Sequence, residues 1–226
     1  MAFSLSKVVP WGRSLAQYRS MFALDDADLE RRILGCADGP ASFNAEMTAM
    51  GKSVTSFDPL YQFSVDEIRQ RIDETVDEII RQTRLHRDTF CWSEEIPTPE
   101  ALADNRLASM NRFLDDLDIG REVGRYIVAE LPSLPVEDGS FDLAVSSHLL
   151  FHYSEHLTEQ FHLDSVRELS RVAREVRIFP LLELGGRLSR HLDAAIESLK
   201  TIEKTATVEQ VDYEFQRGAT QMLRIR

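Results

Sequence analysis

The sequence predicts an α/β fold in which a mostly parallel sheet is flanked by helices and ends in an antiparallel hairpin. Three observations support this prediction. Apolar strand-like segments alternate with amphipathic helical segments in residues 30–59 and again in residues 125–200. A turn rich in small residues, 35–39, joins the first strand to the first helix of this alternation. The last segment, 211–225, alternates apolar and polar residues and contains a glycine turn.

The first part of the chain predicts a short helix followed by a strand, a helix and a second strand. Leu15, Tyr18 and Phe22 are spaced three and four residues apart, as on one face of a helix. We interpret residues 1–28 as a lid segment, with the packing of this helix onto the body as the alternative. The predicted elements that follow are strands at 33–34 and 54–57 and a helix at 42–50.

Residues 60–124 predict a helical insertion after the second strand. Ile68, Ile72 and Ile79 recur at helical spacing, and Thr98-Pro99 has the pattern of an N-cap followed by proline at the first helical position. Two amphipathic helices in this place suit a cap over a pocket. The alternative is a helical hairpin through which the chain forms a homodimer, and the pattern leaves both open.

The second part of the chain returns to strands. Ser165-Val166-Arg167-Glu168 has the pattern of a capping box that opens a helix. Val211, Tyr213 and Phe215 alternate with Asp212 and Glu214, which predicts the first strand of the terminal hairpin, with both acids on its solvated side. The remaining predicted elements are strands at 126–129, 141–145, 175–182 and 222–225 and a helix at 190–200.

Length and composition predict a single soluble domain spanning residues 1–226. The 226 residues suffice for one sizeable core, and the net charge of -12 disfavours nucleic acid as a partner, because phosphate binding requires clustered Lys and Arg. Cys36 and Cys91 form no disulfide framework, which favours a reducing, cytoplasmic compartment. The N-terminus lacks the apolar run of a signal peptide, and the chain has no apolar stretch of membrane-spanning length, so no membrane partner is predicted.

The turn at 35–39 and the acid Asp58 predict a site for a nucleoside cofactor. Small residues let backbone N–H groups approach a ligand, and the start of the following helix favours the polar end of that ligand. Asp58 ends the second predicted strand, where a carboxylate accepts from ribose hydroxyls.

The same motifs, in the same order, carry a resemblance to the class I S-adenosylmethionine-dependent methyltransferases. Residues 35–39 stand where that family has its glycine-rich first motif, and Asp58 at its ribose-binding acid. Glu130-Leu131 matches the position beside the adenine, and 138–143 leads into the fourth strand as in many small-molecule methyltransferases. The resemblance implies a Rossmann-like sheet with the C-terminal antiparallel hairpin and S-adenosylmethionine as cofactor.

The resemblance also implies the roles of individual residues. The glycine-rich turn would line the methionine end of the cofactor, Asp58 would take both ribose hydroxyls, and Glu130 and Leu131 would read the adenine edge. Arg13 would pair with the cofactor carboxylate. The cofactor-binding residues implied in this way are Arg13, Gly35, Cys36, Ala37, Asp38, Gly39, Asp58, Pro59, Glu130, Leu131 and Ser146.

Two positions depart from the family pattern. Ala37 replaces the middle glycine, which is tolerable if that residue keeps a negative φ. Ile33 stands where the family carries an acid at the end of the first strand, and Arg13, Tyr18 or Asp38 could take over the contact that this acid makes.

Histidines follow the fourth predicted strand and supply candidate catalytic residues. His148, His152 and His156 have the spacing of metal ligands on a helix, but the HExxH pattern is missing and no metal site is predicted. Residues after the fourth strand face the substrate in the resembling family, so His148 and His152 could orient a nucleophile or take its proton. Tyr153 is a third candidate. The alternative is that each histidine is a surface or half-buried imidazole and that Tyr153 packs under the cap.

These observations predict direct methyl transfer from S-adenosylmethionine to a small-molecule acceptor. In-line displacement at a sulfonium needs positioning and water exclusion rather than a nucleophilic protein residue. The alternative is a non-catalytic cofactor-binding or scaffold protein on the same fold. An NAD-dependent oxidoreductase is disfavoured, because Gly35, Ala37 and Gly39 run as G-x-A-x-G and the chain ends in a hairpin.

Overall fold

A computed structural model describes residues 11–226 and places its strands in one seven-stranded sheet of order β3-β2-β1-β4-β5-β7-β6. The neighbours from β3 to β5 are parallel, and β7 is antiparallel to both β5 and β6. The order reverses between β1 and β4, which makes the carboxyl ends of these strands the expected ligand crevice. The strands are β1 Ile33–Cys36, β2 Val54–Phe57, β3 Tyr126–Ile127, β4 Phe141–Ser147, β5 Ala173–Phe179, β6 Ala206–Gln210 and β7 Gln221–Ile225.

Four of the described α-helices begin at residues whose side chains cap them. Ser14 and Ser64 each form a capping box, with Gln17 and Glu67 respectively, and the Thr98 hydroxyl accepts from the Ala101 N–H. The first ten residues of the predicted lid lie outside the described part of the chain. The α-helices are α1 Leu15–Phe22, α2 Phe43–Ala49, α3 Val65–Leu85, α4 Pro99–Glu122, α5 Glu159–Val172 and α6 Leu192–Lys200.

The sheet is covered on both faces, and the residues of β4 alternate between the two cores. Leu143 and Val145 pack with α1 and α2, whereas Ala144 packs with α5 and α6. A third apolar cluster joins α3 and α4 to Tyr126 of β3. Among residues 11–226, no helix combines the length and apolar character needed to cross a membrane.

A buried ionic network connects the N-terminal segment to the neighbouring strands β5 and β7. Arg177 of β5 is 2% exposed and donates to both carboxylate oxygens of Asp28, at 2.8 and 3.1 Å. It also donates to Glu175 at 2.7 Å. Glu175 in turn accepts from Arg224 of β7. This network fixes α1 and the 3₁₀ turn after it against β5.

The structure confirms most of the predicted elements and corrects two. The strand at 54–57 and the two helices of the insertion are found as predicted. The helix predicted to open at Ser165 begins at Glu159 instead, because Thr158 supplies the N-cap by accepting from Phe161 N–H. Ser165 is buried inside that helix, so its capping-box pattern is coincidental.

The first strand of the terminal hairpin is also not where the alternation predicted it. The strand paired with β7 is β6, and 211–215 lies in the connection between them. Apolar side chains alternate there because they pack inward: Phe215 stacks on Phe90 at 4.9 Å, and Tyr213 packs on Phe179. Asp212 and Glu214 are exposed as predicted, although the segment is not a strand.

Candidate functional site

A cavity of about 1100 Å³ opens at the carboxyl ends of β1, β2 and β4, where the strand order reverses. One wall consists of the turn after β1 and the residues that follow β2, including Asp58 and Pro59. Side chains of α3 and α4 form the opposite wall, and Ser147, His148 and Leu149 after β4 line a third side. Its volume is at the upper end of the range for small-ligand sites.

The turn after β1 places Ala37 in the left-handed region. Its φ is +60°, so the condition under which alanine is tolerated at this position without strain is not met. Its backbone N–H donates to the Phe57 carbonyl at 2.8 Å, which continues the β1–β2 pairing and holds the conformation. Gly39 also has a positive φ, of +54°. Both residues line the cavity, so the turn brings its backbone to the edge of the site.

Asp38 is folded back into the protein from this turn. Its carboxylate accepts from the Tyr18 hydroxyl at 2.7 Å and from the Ser56 hydroxyl at 2.6 Å. A Cβ atom on Gly35 would lie 1.8 Å from Asp38 Oδ2, so the glycine makes room for this carboxylate. Burial raises the pKa of Asp38 to about 6, although both hydroxyls oppose that shift. Ile33, in the position of the missing acid, is an apolar core residue.

Asp58 links the turn after β1 to the segment that follows β2. Its Oδ2 accepts from Gly39 N–H at 2.8 Å, and its Oδ1 accepts from Leu60 N–H at 2.7 Å. Burial raises the pKa of Asp58 to about 6 against the lowering effect of these backbone donors. Each carboxylate oxygen has a second lone pair, so Asp58 is fixed in orientation and can still accept from two hydroxyls.

The other predicted cofactor residues divide into those that line the cavity and those that do not. Arg13, Cys36, Pro59, Glu130 and Leu131 line it, together with Ala37, Asp38, Gly39 and Asp58. Gly35 and Ser146 are not among its lining residues. Ser146 is fully buried inside β4, and its neighbour Ser147 faces the cavity instead.

The candidate catalytic residues His148, His152 and Tyr153 all line the cavity. The ring centroids of the two histidines are 5.2 Å apart. His148 has a φ of +55°, and its Nδ1 is 2.8 Å from the Ser147 hydroxyl. His152 Nδ1 is 3.1 Å from the Leu182 carbonyl, which can only accept, so Nδ1 carries the proton and Nε2 the lone pair.

Both histidines are neutral groups at neutral pH. Burial lowers the pKa of His152 to about 4 and lowers that of His148 well below its usual range, and the charge of Arg13 acts in the same direction. Across residues 11–226, His, Cys, Asp and Glu side chains form no cluster of three that could hold a metal ion. His162 lies apart from this site, between the carbonyls of Thr158 and Leu150.

The sequence interpretation missed Arg106, which faces the cavity from α4. Its side chain is 1% exposed and is bonded to Gln17 Oε1 and, at 3.4 Å, to the Tyr213 hydroxyl. The available signal was its spacing, since Arg106 falls midway between the buried Leu102 and Met110 on the apolar face of α4. A cation on that face indicates either a buried partner or a ligand.

The strand order, the turn after β1 and the acid after β2 are those of a Rossmann-like methyltransferase fold. A family model described as a methyltransferase domain matches residues 102–176. The matched segment covers about a third of the chain and runs from α4 into β5. Over its whole length the chain belongs to the same family as the uncharacterized protein MJ0045 of Methanocaldococcus jannaschii. The two are 32% identical over 224 residues, which cover 99% of this chain and 98% of that protein.

Solved structures of methyltransferases are more distant. The 1,6-didemethyltoxoflavin-N1-methyltransferase of Burkholderia thailandensis is 14% identical with a TM-score of 0.46, covering 93% of this chain and 76% of that one. The magnesium protoporphyrin IX methyltransferase of Synechocystis is 12% identical with a TM-score of 0.45, covering 88% and 72%. Similarities this remote do not identify an acceptor.

Proposed function

We propose that this protein transfers the methyl group of S-adenosylmethionine to a small-molecule acceptor bound in the cavity. The observation that carries the proposal is the position of Asp58, whose two carboxylate oxygens are fixed by Gly39 and Leu60 at the edge of a deep cavity. A carboxylate held in this way is suited to the two hydroxyls of a ribose. The cavity then extends past this point to α3 and α4, which leaves room for a second molecule.

The donor set fits each part of the cofactor. Asp58 would accept from the ribose hydroxyls, and Glu130 and Leu131 line the cavity beside it, where the adenine edge would lie. Arg13 would hold the carboxylate of the methionine part. It has the Trp11 carbonyl as a neutral partner at 3.1 Å, and its Nε lacks one among the described residues. The bound cofactor supplies an electrophilic methyl group.

The protein's own contribution to the transfer is positioning, exclusion of water and acceptance of a proton. The walls formed by α3, α4 and the connection between β6 and β7 separate the cavity from solvent on the acceptor side. His152 keeps Nδ1–H on the Leu182 carbonyl, so its Nε2 is the atom that can take a proton from the acceptor. We propose that α3 and α4 act as a cap on this site, because both helices line it.

The proposal is tested by labelled methyl transfer. Purified protein is incubated with methyl-labelled S-adenosylmethionine and the small-molecule fraction of a cell extract, and separately with its protein and nucleic-acid fractions. We expect label in a small-molecule product and none with the Asp58→Ala variant. Label only in a macromolecular fraction would contradict the small-molecule acceptor. Cofactor binding without transfer to any fraction would favour the non-catalytic alternative.

A further inference from the structure

Arg106, which is buried, and Arg13, which is half-buried, face the cavity without a carboxylate partner among residues 11–226. Arg13 donates to the Trp11 carbonyl and Arg106 to the Gln17 amide oxygen, and both contact the Tyr213 hydroxyl; all of these are neutral acceptors. The Nε atoms of both guanidinium groups are buried and have no partner in this part of the chain. The other large buried cation, Arg177, is by contrast paired with Asp28 and Glu175. Unpaired buried charge is costly, so this pair indicates an anionic ligand.

The groups around the pair respond to its positive charge. The pKa of Arg13 is lowered to about 10, by burial and then by the charge of Arg106. Burial alone would raise the pKa of Tyr213, but the two guanidinium groups bring it below its usual value. The nearest titratable groups on the β4 side are His148 and His152, both neutral. Neither arginine forms an ion pair within residues 11–226, and the nearby Asp38 carboxylate accepts from Tyr18 and Ser56 instead.

The two arginines come from different segments of the chain and meet at the Tyr213 hydroxyl, which is hydrogen-bonded to both. The chain at Arg13 rests on the turn after β1, since a Cβ on the preceding Gly12 would lie 2.0 Å from the Pro40 carbonyl oxygen. That is the end of the cavity where the methionine part of the cofactor would bind. Arg106 projects from α4 and is bonded to Tyr213 in the connection between β6 and β7, so it belongs to the acceptor wall.

The cofactor cannot compensate this charge by itself. S-adenosylmethionine carries one carboxylate, and its ammonium and sulfonium groups make it a net cation. Its carboxylate matches Arg13, which leaves Arg106 unpaired and adds positive charge to the same cavity. A second anion is needed, and the acceptor is the other molecule that the proposed reaction brings into the site.

We propose that the methyl acceptor is a small anion whose carboxylate or phosphate group is held by Arg106 and the Tyr213 hydroxyl. This inference rests on the proposed function and names the substrate class for it. The planar guanidinium of Arg106 suits two-point binding of either oxyanion. Electrostatic attraction to the sulfonium adds to this preference and places the acceptor on the cofactor side of α4.

The test is an anion titration of the protein saturated with S-adenosylhomocysteine. Benzoate and inorganic phosphate are titrated separately by calorimetry, so that the two oxyanion types are distinguished. We expect one of them to bind, and Arg106→Gln to weaken that binding at least about tenfold while leaving S-adenosylhomocysteine affinity within about twofold. Arg112→Gln is the matched control, since Arg112 lies on the same helix, is 53% exposed and is 3.9 Å from Glu46. Tyr213→Phe, which removes one hydroxyl, should weaken anion binding by a smaller factor.

Each contrary outcome identifies what failed. Binding of S-adenosylhomocysteine without binding of either anion would overturn the inference and leave the proposed function standing. Anions that bind the free protein but are displaced by S-adenosylhomocysteine would show that both arginines serve the cofactor, which also overturns it. Absence of S-adenosylhomocysteine binding in the unmodified protein would overturn the proposed function before any anion is added. If Arg106→Gln fails to fold, anion binding is measured with Arg106→Lys, which keeps the charge and loses the planar guanidinium. Weaker anion binding at unchanged S-adenosylhomocysteine affinity would support the inference, and unchanged anion binding would overturn it.

Discussion

At the scale of single residues, Asp38 and Asp58 set the chemistry of the site. Both have a pKa raised to about 6, but Asp38 is buried whereas Asp58 is only half-buried. Asp38 accepts from the hydroxyls of Tyr18 and Ser56 inside the protein, whereas Asp58 accepts from backbone donors and keeps accessible acceptor capacity at the cavity. Asp38 therefore holds the turn in place, and Asp58 is the residue available to the ligand.

Cofactor affinity should depend on pH through Asp58. Its pKa of about 6 in the free protein means that it is ionised above and protonated below that pH. Ribose hydroxyls donate to the ionised form, so affinity for S-adenosylhomocysteine should be constant from about pH 7 to 8 and fall by up to about tenfold per pH unit below about 6. Calorimetry across this range measures the effect. Asp58→Asn should bind weakly without the pH dependence, and a flat wild-type profile would contradict the assignment.

Ala37 should carry backbone strain that glycine would relieve. A left-handed alanine costs about 1 to 2 kcal/mol, and the added freedom of glycine in the unfolded chain returns part of that. Ala37→Gly should therefore raise the free energy of unfolding by about 0.5 to 1 kcal/mol. Ala45→Gly, inside α2, is the control and should lower it by about 1 kcal/mol. Denaturant unfolding distinguishes the two, and a loss of stability in both variants would show that Ala37 is unstrained.

The sequence was sufficient to predict Asp58 and the turn after β1 because both follow from local patterns. It was not sufficient for Arg106 or Tyr213, since their proximity depends on how α4 packs against the connection between β6 and β7. The hydrogen bonds of Asp38 with Tyr18 and Ser56 could not be predicted from local patterns either, because they join three segments that are distant in the chain. The suggestion that Asp38 or Tyr18 takes over the contact of the missing acid named two of these residues but not their hydrogen bonds.

At the scale of secondary structure, the wrong predictions have a common cause. Ser165 matches a capping box inside α5, and 211–215 alternates without being a strand, because a local pattern does not specify which contacts the side chains make. Elements that repeat over many residues, such as α3 and α4, were predicted correctly. Their apolar residues recur at helical spacing over several turns, which excludes a strand or a loop.

The network around Arg177 should be the most stability-sensitive polar contact of β5. Arg177→Met removes a buried partner of Asp28 and Glu175, while Arg31 and Arg224 stay paired with these carboxylates, so the loss should be about 2 to 3 kcal/mol. Arg174→Met is the control on the same strand. Its side chain is 74% exposed and 3.9 Å from Asp142, so the change should stay within about 0.5 kcal/mol. Equal effects of the two substitutions on urea unfolding would contradict a structural role for the network.

At the scale of the whole molecule, the insertion is the part whose role distinguishes a capped enzyme from a dimerising scaffold. Both α3 and α4 line the cavity, and the Ser109 hydroxyl of α4 is 2.9 Å from that of Ser42, at the start of α2. The insertion is thus packed against the cofactor side of the protein, as a cap would be. A helical hairpin used for dimerisation would need no such contact.

Ligand binding should therefore slow amide hydrogen exchange in the inserted helices. With saturating S-adenosylhomocysteine we expect protection in residues 65–85 and 99–122 as well as in the turn at 35–39, because closing the cap reduces local opening. Exchange followed by mass spectrometry measures this. Protection confined to the turn, together with a molecular mass that doubles with protein concentration, would instead assign α3 and α4 to a dimer interface.

Calorimetric titration with S-adenosylhomocysteine measures whether Asp58 and the turn after β1 bind the nucleoside cofactor. We expect saturable one-to-one binding that Asp58→Ala weakens at least about tenfold, the equivalent of one strong charge-assisted hydrogen bond. Asp73→Ala, an exposed position on α3, should leave the affinity unchanged. No binding by the unmodified protein, or equal binding by the Asp58→Ala variant, would show that the cofactor does not bind through Asp58.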